Sequence, residues 1–596
     1  MFPGLAGLAL EVSGAALRFE HLPELFSRDL RQISPNSNDE LLDLYGRSEQ
    51  ILANRFTFFN LTEEFGAEIN WEQHPSPGWR ASLHAFDYGL DLAMTYRISR
   101  DERYARHLRY LMAEWIAANP PGQGSGWNPR TLARRVRNWV LAADLARDDW
   151  QQDPIFLSLV VESLALQTAY LSQQSEADIS ASEDLDCAGA LNLAGRFFVG
   201  YAATELASQA IRMVLGTRSD QRWPASQLRR AETLIDFMLF TPAENTDLHN
   251  QLKAELLESL RTLEGMLWPD GTLPLFGPSA EAAPERLSNL FAIAAIMFEE
   301  PHWKSLAGDF GVAPYLLIGE KGKACFESLP HQPANPDVHC SPKCGLYSLA
   351  GKDLSKLFVK ESPADESPAH EDFLSYDLYT CGQRVVVDSG AFSPEGEIWN
   401  PYFPSPLAHN TLLVDGRGTD RSAWRGHILH ESQVDCSSLR AENSGFKSLG
   451  LDHVRAWYCL DGQYWVVLDR LLASEPHRYR SLIHFYPTFS IDRCAMSVLV
   501  RSRSLTFTLI PLGATSPEMN TFQGDHPEFP SWYSPDFGFK MPAAALHLEW
   551  TFIPPSSLSG YLLVPGSEVD FRPIEVDPHA GKLGFELFGK RYNLTI

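Results

Sequence analysis

From about Ser34 to Leu316 apolar residues recur three and four positions apart, as in "WRASLHAFDYGLDLAMTYRI", "DERYARHLRYLMAEWIAAN" and "TLARRVRNWVLAADLARD". That period buries one face of a helix, so the first half predicts a helical array. Polar or Pro/Gly-rich turns such as Asn119 to Gly124 separate its members, and further helical segments are predicted at 154–174, 190–215, 225–240 and 252–267. No strict short repeat is visible. Near Leu316 to Pro342 the period gives way to "GEKGKACFESLPHQPANPDVHCSP", which reads as a linker. Beyond it come short runs rich in β-formers, including "GLYSLAG", "KLFVK", "RVVVDSG", "NTLLVDG", "YWVVLDRLL", "VLVRSRSLTFTLI" and "LSGYLLV". With no intervening helices, such strands pair antiparallel and stack two sheets face to face. The predicted class is multidomain α+β, with a helical domain at 1–320, a linker at 321–342 and an antiparallel β-sandwich at 343–596. An active site is expected between the domains.

Composition narrows the function. A hydrophobic content of 44% with 15 Trp, 34 Phe and 19 Tyr excludes whole-chain disorder. Fifty Lys and Arg against 75 Asp and Glu give a net charge of −25, the wrong sign for coating nucleic acid. An acidic polymer is not excluded, because arginines clustered in a cleft create a local potential opposite to the net charge. Eight cysteines are compatible with a reducing compartment, and the Cys340–Cys344 pair lacks the second pair of a zinc knuckle. The opening "MFPGLAGLAL" has no basic flank and runs into Glu11, so neither a standard signal peptide nor a membrane insertion is expected. This favours a cytoplasmic location and leaves a periplasmic one open; a homodimer also stays open.

Candidate chemistry gathers at the start of the β half. His370 in "PAHEDFLSYDL", Asp388 in "GQRVVVDSG" and His409 in "LAHNTLLVDG" offer two imidazoles and a carboxylate, the donor set of a zinc site. Glu371, Asp372 and Asn410 are available to orient them, and loop capping is the competing role for all six. In the helical half, Asn128–Pro129 reads as a cap and first-turn proline. Arg130, Arg134 and Arg137 then share one helix face, and Arg135 and Asn138 a neighbouring one. A guanidinium matches a sugar carboxylate bidentately; the alternative is a surface helix paired with acids elsewhere. Trp71, Trp79, Trp115, Trp127 and Trp139 suit either sugar stacking or core packing, and Trp127 stands out because it follows the turn "GQGSG".

These motifs resemble the heparinase II/III family of polysaccharide lyases. The resemblance rests on "INW" followed by "LHAFDY", "DERYARHLRYLMAEWI", "TLARRVRNW", "WPDGTLPLFG", "GLYSLAG", "HEDFLSYDL" with "GQRVVVDSG", and "AHNTLLVDG", over roughly residues 50–490. It implies an incomplete α/α toroid followed by a β-sandwich, with a polysaccharide cleft between them. It also implies a structural zinc at His370, Asp388 and His409, and a substrate contact at Arg135 with Asn138 beside it. The implied chemistry is β-elimination from a uronate: the carboxylate is neutralised, a base takes the C5 proton and an acid assists the leaving 4-oxygen.

The chain departs from the family at the residues that reaction uses. Where many members carry an Asn-His pair, only Asn192 in "GALNLAGRFF" is available. A Tyr-His pair is replaced by Leu248-His249, and a His-Gly-His-Ala-Asp stretch by Pro368-Ala369-His370-Glu371-Asp372. His249 and Tyr402 are therefore the candidate proton-transfer groups. The leading expectation is an atypical lyase on an acidic, uronate-containing polysaccharide. A noncatalytic carbohydrate-binding protein is the main alternative; a glycoside hydrolase drawing carboxylates from Asp247, Asp365, Glu366 and Asp372 is a lesser one.

Overall fold

The computed structural model describes residues 38–174, 184–198, 201–216, 224–240, 246–280, 284–333, 345–361, 370–393, 401–423, 428–433 and 436–596. The chain divides into two compact units, one made of 1–221, 226–261 and 283–334, the other of 222–225, 262–282 and 335–596. Among the described residues the first is helical apart from a small hairpin, β1 (Arg55–Phe58) with β2 (Leu61–Glu64). The second is built from antiparallel sheets.

In the helical unit local chemistry sets the boundaries. Ser76 caps the helix Pro77–Ala85 by accepting from Trp79 N, and Asp153 caps Pro154–Ser172 by accepting from Phe156 N. Pro129 occupies the first turn of Pro129–Leu145 as expected, although the Asn128 side chain makes no capping bond. The segment expected at 190–215 is two helices, Asp184–Phe197 and Tyr201–Gly216. Pro154–Ser172 is long and apolar enough to cross a membrane, but half of its most apolar stretch is buried within the protein. Gln167 and Thr168 are among its enclosed residues, as in the core helix of a folded domain. The last helix, Val312–Ser328, breaks at Gly319 and continues into the stretch expected as linker. The Cys340–Cys344 pair lies outside the described residues.

The sheet unit confirms the short β-runs and adds strands whose patterning the sequence reading passed over. One four-stranded sheet runs in order through β3 (Leu346–Ala350), β4 (Lys356–Lys360), β5 (Tyr376–Thr380) and β6 (Gln383–Val386). A second combines β7 (Leu412–Val414), β12 (His477–His484), β19 (Ala544–Phe552) and β16 (Glu518–Gln523). The eight-stranded sheet is centred on β10 (Leu451–Leu460), β11 (Tyr464–Ala473) and β20 (Ser556–Pro565). Its alternate residues Trp457, Cys459, Trp465 and Val467 enter one apolar core with residues of both four-stranded sheets. The opposite face, through Tyr458, Val466 and Leu468, packs on a C-terminal three-stranded sheet covering Phe571–Thr595.

Charge interrupts the shared core at one place. Arg455 and Asp469 stand directly opposite on β10 and β11, joined by two bonds of 2.8 and 3.1 Å. His453 Nε2 lies 2.8 Å from the same carboxylate. Burial opposes ionisation of Asp469, but Arg455 and His453 hold its carboxyl down to about 2. Arg455 also donates to the Asn410 carbonyl at 3.0 Å and the Leu374 carbonyl at 3.4 Å. Removing one member of a buried pair strands the other, so Arg455→Met should cost ~3–5 kcal/mol in urea unfolding. An unchanged midpoint would show that the pair is dispensable.

Candidate functional site

His370, Asp372 and His409 are all buried and bring one potential ligand atom each within 4.8 Å of the others. The fold delivers them from strand ends. His370 and Asp372 lie in the connection from β4 to β5, where Lys360 N bonds the Ser375 carbonyl and Leu374 N the Lys360 carbonyl. His409 follows the short turn Pro406–Ala408 and precedes β7. The two imidazoles are 5.5 Å apart between ring centres.

The expected donor set divides differently in the structure. Asp388, just beyond β6, is outside the close group, and Asp372 takes its place beside the two histidines. Asp388 Oδ2 instead lies 2.8 Å from His409 Nδ1, while its Oδ1 accepts from Gly390 N at 3.0 Å. A carboxylate there fixes the ring and favours the Nδ1–H tautomer, leaving the Nε2 lone pair for a cation. His409 Nε2 is buried without a hydrogen-bond partner among the described residues. A divalent cation would satisfy that nitrogen, so the residues present fit a metal.

Two groups that the sequence reading missed complete the cluster. Lys360 closes the fully buried strand β4 and places its ammonium 2.5 Å from Asp372 Oδ2. Burial would raise the Asp372 carboxyl, yet Lys360 and the two histidines hold it down to about 2. Asp377 on β5 is pushed well above the usual carboxylate range by burial and by the neighbouring Asp388 charge. The signals were a lysine ending an otherwise apolar strand and an aspartate inside "SYDLY". Asp372, enclosed and paired with Lys360, is not placed to serve as a solvent-facing hydrolase carboxylate. Asp365 and Glu366, the other β-half carboxylates of that reading, lie outside the described residues.

Asn410 holds the cluster in register. Its side-chain amide donates to the carbonyls of Tyr376 at 2.8 Å and Val387 at 3.0 Å, and its Oδ1 accepts from His484 N at 2.7 Å. Asn410 N donates to Ser375 Oγ at 3.1 Å. Tyr402 is also buried: its hydroxyl lies 3.2 Å from Ser389 Oγ and accepts from Trp532 N at 3.4 Å. Burial pushes that phenol up to about 12, so it keeps its proton at neutral pH.

In the helical unit most of the predicted contact residues are engaged by the protein itself. Arg135 is 0% exposed and donates to Gln167 Oε1 at 2.8 Å and to the carbonyls of Gly126 at 2.7 Å and His84 at 3.1 Å. Its guanidinium centre sits 3.8 Å over the Trp115 ring. Asn138 donates to the Ala85 carbonyl and Asp87, and Trp127 packs on Trp115 and Tyr170. Arg135, Asn138 and Trp127 are thus buried in the helical unit, with Arg135 Nη2 and Trp127 Nε1 left without a hydrogen-bond partner among the described residues. The other four tryptophans are buried too. Arg130 pairs with Asp186, Arg134 with Asp87 and Arg137 with Asp236, the alternative of arginines matched to acids. Asn192 is buried with neither amide atom hydrogen-bonded among the described residues. His249, half-buried on Thr246–Met266, likewise has no partner at Nδ1.

The sequence matches two family profiles, the heparinase II/III N-terminus over residues 45–204 and the heparinase II/III-like C-terminal region over 333–568. The chain belongs to the heparinase II/III family. A heparin-sulfate lyase of Pedobacter heparinus is 23% identical over 443 residues, 69% of this chain and 63% of that protein. A heparin-sulfate lyase of Bacteroides stercoris is 21% identical over 490 residues, 72% of this chain and 69% of its own. The chain thus spans less than two thirds of the length of the first of these relatives. A crystal structure of heparinase III superposes with TM-score 0.78 at 16% identity, covering 100% of this chain and 97% of that one. At that identity the likeness establishes the shared fold.

Within this heparinase II/III chain, "LHA" and "GSGW" meet at His84. Trp115 Nε1 donates to His84 Nδ1 at 2.9 Å, and a Cβ on Gly126 would come within 2.6 Å of that nitrogen, so only glycine fits. Burial, with Arg135 adding to it, lowers the His84 pKa to about 4 from an ordinary 6.5. The unfolded chain therefore takes up this proton first as pH falls. The contribution of neutral His84 is complete above about pH 6.5 and is lost on going down toward 4. His84→Gln should flatten the dependence of unfolding free energy on pH in that window, measured by urea titration; an unaltered slope would remove His84 as its source.

Proposed function

We propose that this protein is a polysaccharide lyase that cleaves a uronate-bearing acidic polysaccharide by β-elimination, on an incomplete α/α toroid followed by a two-sheet β-sandwich. The observation that carries the reading is the family match in both halves of the chain. The heparin-sulfate lyases among its relatives indicate the substrate class. In this reaction the C5 proton becomes removable as the uronate carboxylate is neutralised, and the leaving 4-oxygen then accepts a proton.

His249 is the proposed proton-transfer group of the helical unit, with an imidazole nitrogen not engaged by the described residues. Leu248 beside it is an alkyl group and transfers no proton. Tyr402, protonated at neutral pH, suits proton donation better than abstraction. Zinc is the proposed metal, held by His370, Asp372 and His409 with Asp388 orienting His409. Bound there it would supply positive charge and cross-link the two strand connections. Lys360 balances one carboxylate charge of the same cluster.

Leu248 in place of a phenol favours a second reading, a carbohydrate-binding protein that retains the fold without turnover. Incubation with heparan sulfate, heparin and other uronate polymers separates the two readings. Elimination yields a 4,5-unsaturated uronate seen in the near ultraviolet together with new reducing ends. Reducing ends without absorbance would indicate hydrolysis, and affinity with neither signal would establish the binding reading. For an active preparation, His249→Ala should lower kcat by about 100-fold or more, the scale of a lost acid–base group; unchanged kcat would remove His249 from the mechanism.

The metal assignment has its own test. His409→Ala and Asp372→Asn should abolish stoichiometric zinc in metal analysis of purified protein, whereas Asp388→Asn should keep the site and weaken affinity by about 10–100-fold. Full zinc in Asp372→Asn would overturn the assignment of Asp372 as ligand.

A further inference from the structure

The hairpin β17 (Trp532–Asp536) with β18 (Phe539–Pro542) carries a cation in an unusual setting. Lys540 Nζ lies 4.1 Å from the centre of the Trp532 ring and 5.7 Å from that of Phe392. Among the described residues no carboxylate lies within 4.0 Å of this ammonium, in a chain with 75 acidic residues against 50 basic ones. Most other half-buried cations of the sheet unit have acids: Arg480 has Glu549 and Arg384 has Asp270. Two aromatic faces thus hold the ammonium in place while its N–H groups stay open to an anion. Phe539 on the same hairpin is 45% exposed.

The hairpin is fastened to the chain leaving the histidine cluster. Ser534 N donates to the Ser389 carbonyl at 2.8 Å, Ser534 Oγ to the Ala391 carbonyl at 2.9 Å, and Gly538 N to the Phe392 carbonyl at 2.8 Å. Gly390 sits at φ +75°, where an added Cβ would lie 2.3 Å from the Ser534 carbonyl oxygen. Trp532 N reaches the Tyr402 hydroxyl, which also contacts Ser389. The aromatic–cation group is therefore joined by short, defined bonds to the segment that begins at Asp388.

We infer that Lys540, Trp532 and Phe539 form a binding subsite for an acidic oligosaccharide, with Lys540 taking a carboxylate or sulfate and the exposed aromatic surface taking the sugar ring. This rests on the proposed substrate class and adds residues that the elimination chemistry does not use. A fixed ammonium offers a point charge to an anion, and an aromatic face offers an apolar surface to the C–H side of a pyranose.

The test measures binding rather than turnover. Size-defined heparan sulfate and polyuronate oligosaccharides are titrated into the full chain, with a neutral cello-oligosaccharide as control, by calorimetry at two salt concentrations. Lys540→Gln and Trp532→Ala should each weaken acidic-oligosaccharide binding by about 10-fold, the scale of one desolvated cation–π or charge-assisted contact. Lys540→Arg should restore affinity, and Lys540→Gln should show a smaller salt dependence than the parent. Thermal unfolding of each variant verifies the fold, and Phe539→Ser serves as the second aromatic variant should Trp532→Ala unfold. Parent-like affinity in Lys540→Gln, or an absence of acidic-oligosaccharide binding by the parent, overturns the subsite. Loss of binding in the variants of a protein that cleaves none of these polymers would instead overturn the lyase reading and leave the subsite standing.

Discussion

The sheet unit depends on one charged contact placed where apolar packing would otherwise be continuous. Arg455 and Asp469 face each other inside the shared core, and the arginine extends from that pair to the carbonyls of Leu374 and Asn410. Those two residues flank the cluster: Leu374 follows Asp372, and Asn410 follows His409. A buried ion pair contributes little net stability compared with well-packed apolar side chains, so its value here is in specificity. It fixes two strand connections, each bearing potential metal ligands, to the centre of the eight-stranded sheet. Asn410 completes the fixation because its side chain bonds the carbonyls on β5 and after β6 and the backbone of β12.

Over-determination of this kind is what a metal site needs in order to exist before the metal arrives. His409 is oriented by Asp388, Asp388 is bonded by Gly390 N, and Asp372 is held by Lys360. Two carboxylates and two imidazoles in a buried space would otherwise repel or relax, and the ammonium of Lys360 offsets one negative charge. The same lysine places a cation beside the candidate metal cluster. Its charge should weaken metal affinity while keeping the metal-free cluster compact, a compromise between folding and binding.

Much of the fold was legible because its two hydrophobic periods are clean. The 3.6-residue period gives way from about Leu316, short of the helix end at Ser328, and alternation or short apolar runs follow. The helix end at Phe197 and the discontinuous membership of 262–282 in the sheet unit were not legible, the second because it depends on contacts distant in sequence. At the site, residue types identified His370 and His409. They could not tell which of Asp372 and Asp388 stands within the close group, because the two carboxylates have the same chemistry and differ only in position. The helix position of Arg135 suits a substrate contact, but its burial against the Trp115 face and three oxygen acceptors depends on residues far away in sequence and was not legible. Lys360 and Lys540 were passed over because a lysine in a strand ordinarily reads as a solvated side chain.

The departures from the family pattern and the retained structure fall on different kinds of residue. Leu248, where the family resemblance implies a phenol, lies half-buried on the helix Thr246–Met266. Replacing Arg455, Asn410 or Gly390 would disturb bonds that position whole strand connections. Among the described residues the His409 Nε2 nitrogen has no hydrogen-bond partner and the Lys540 ammonium has no carboxylate within 4.0 Å, so the one is open to a cation and the other to an anion. Both proposals, a metal and an acidic ligand, therefore rest on residues of the sheet unit alone.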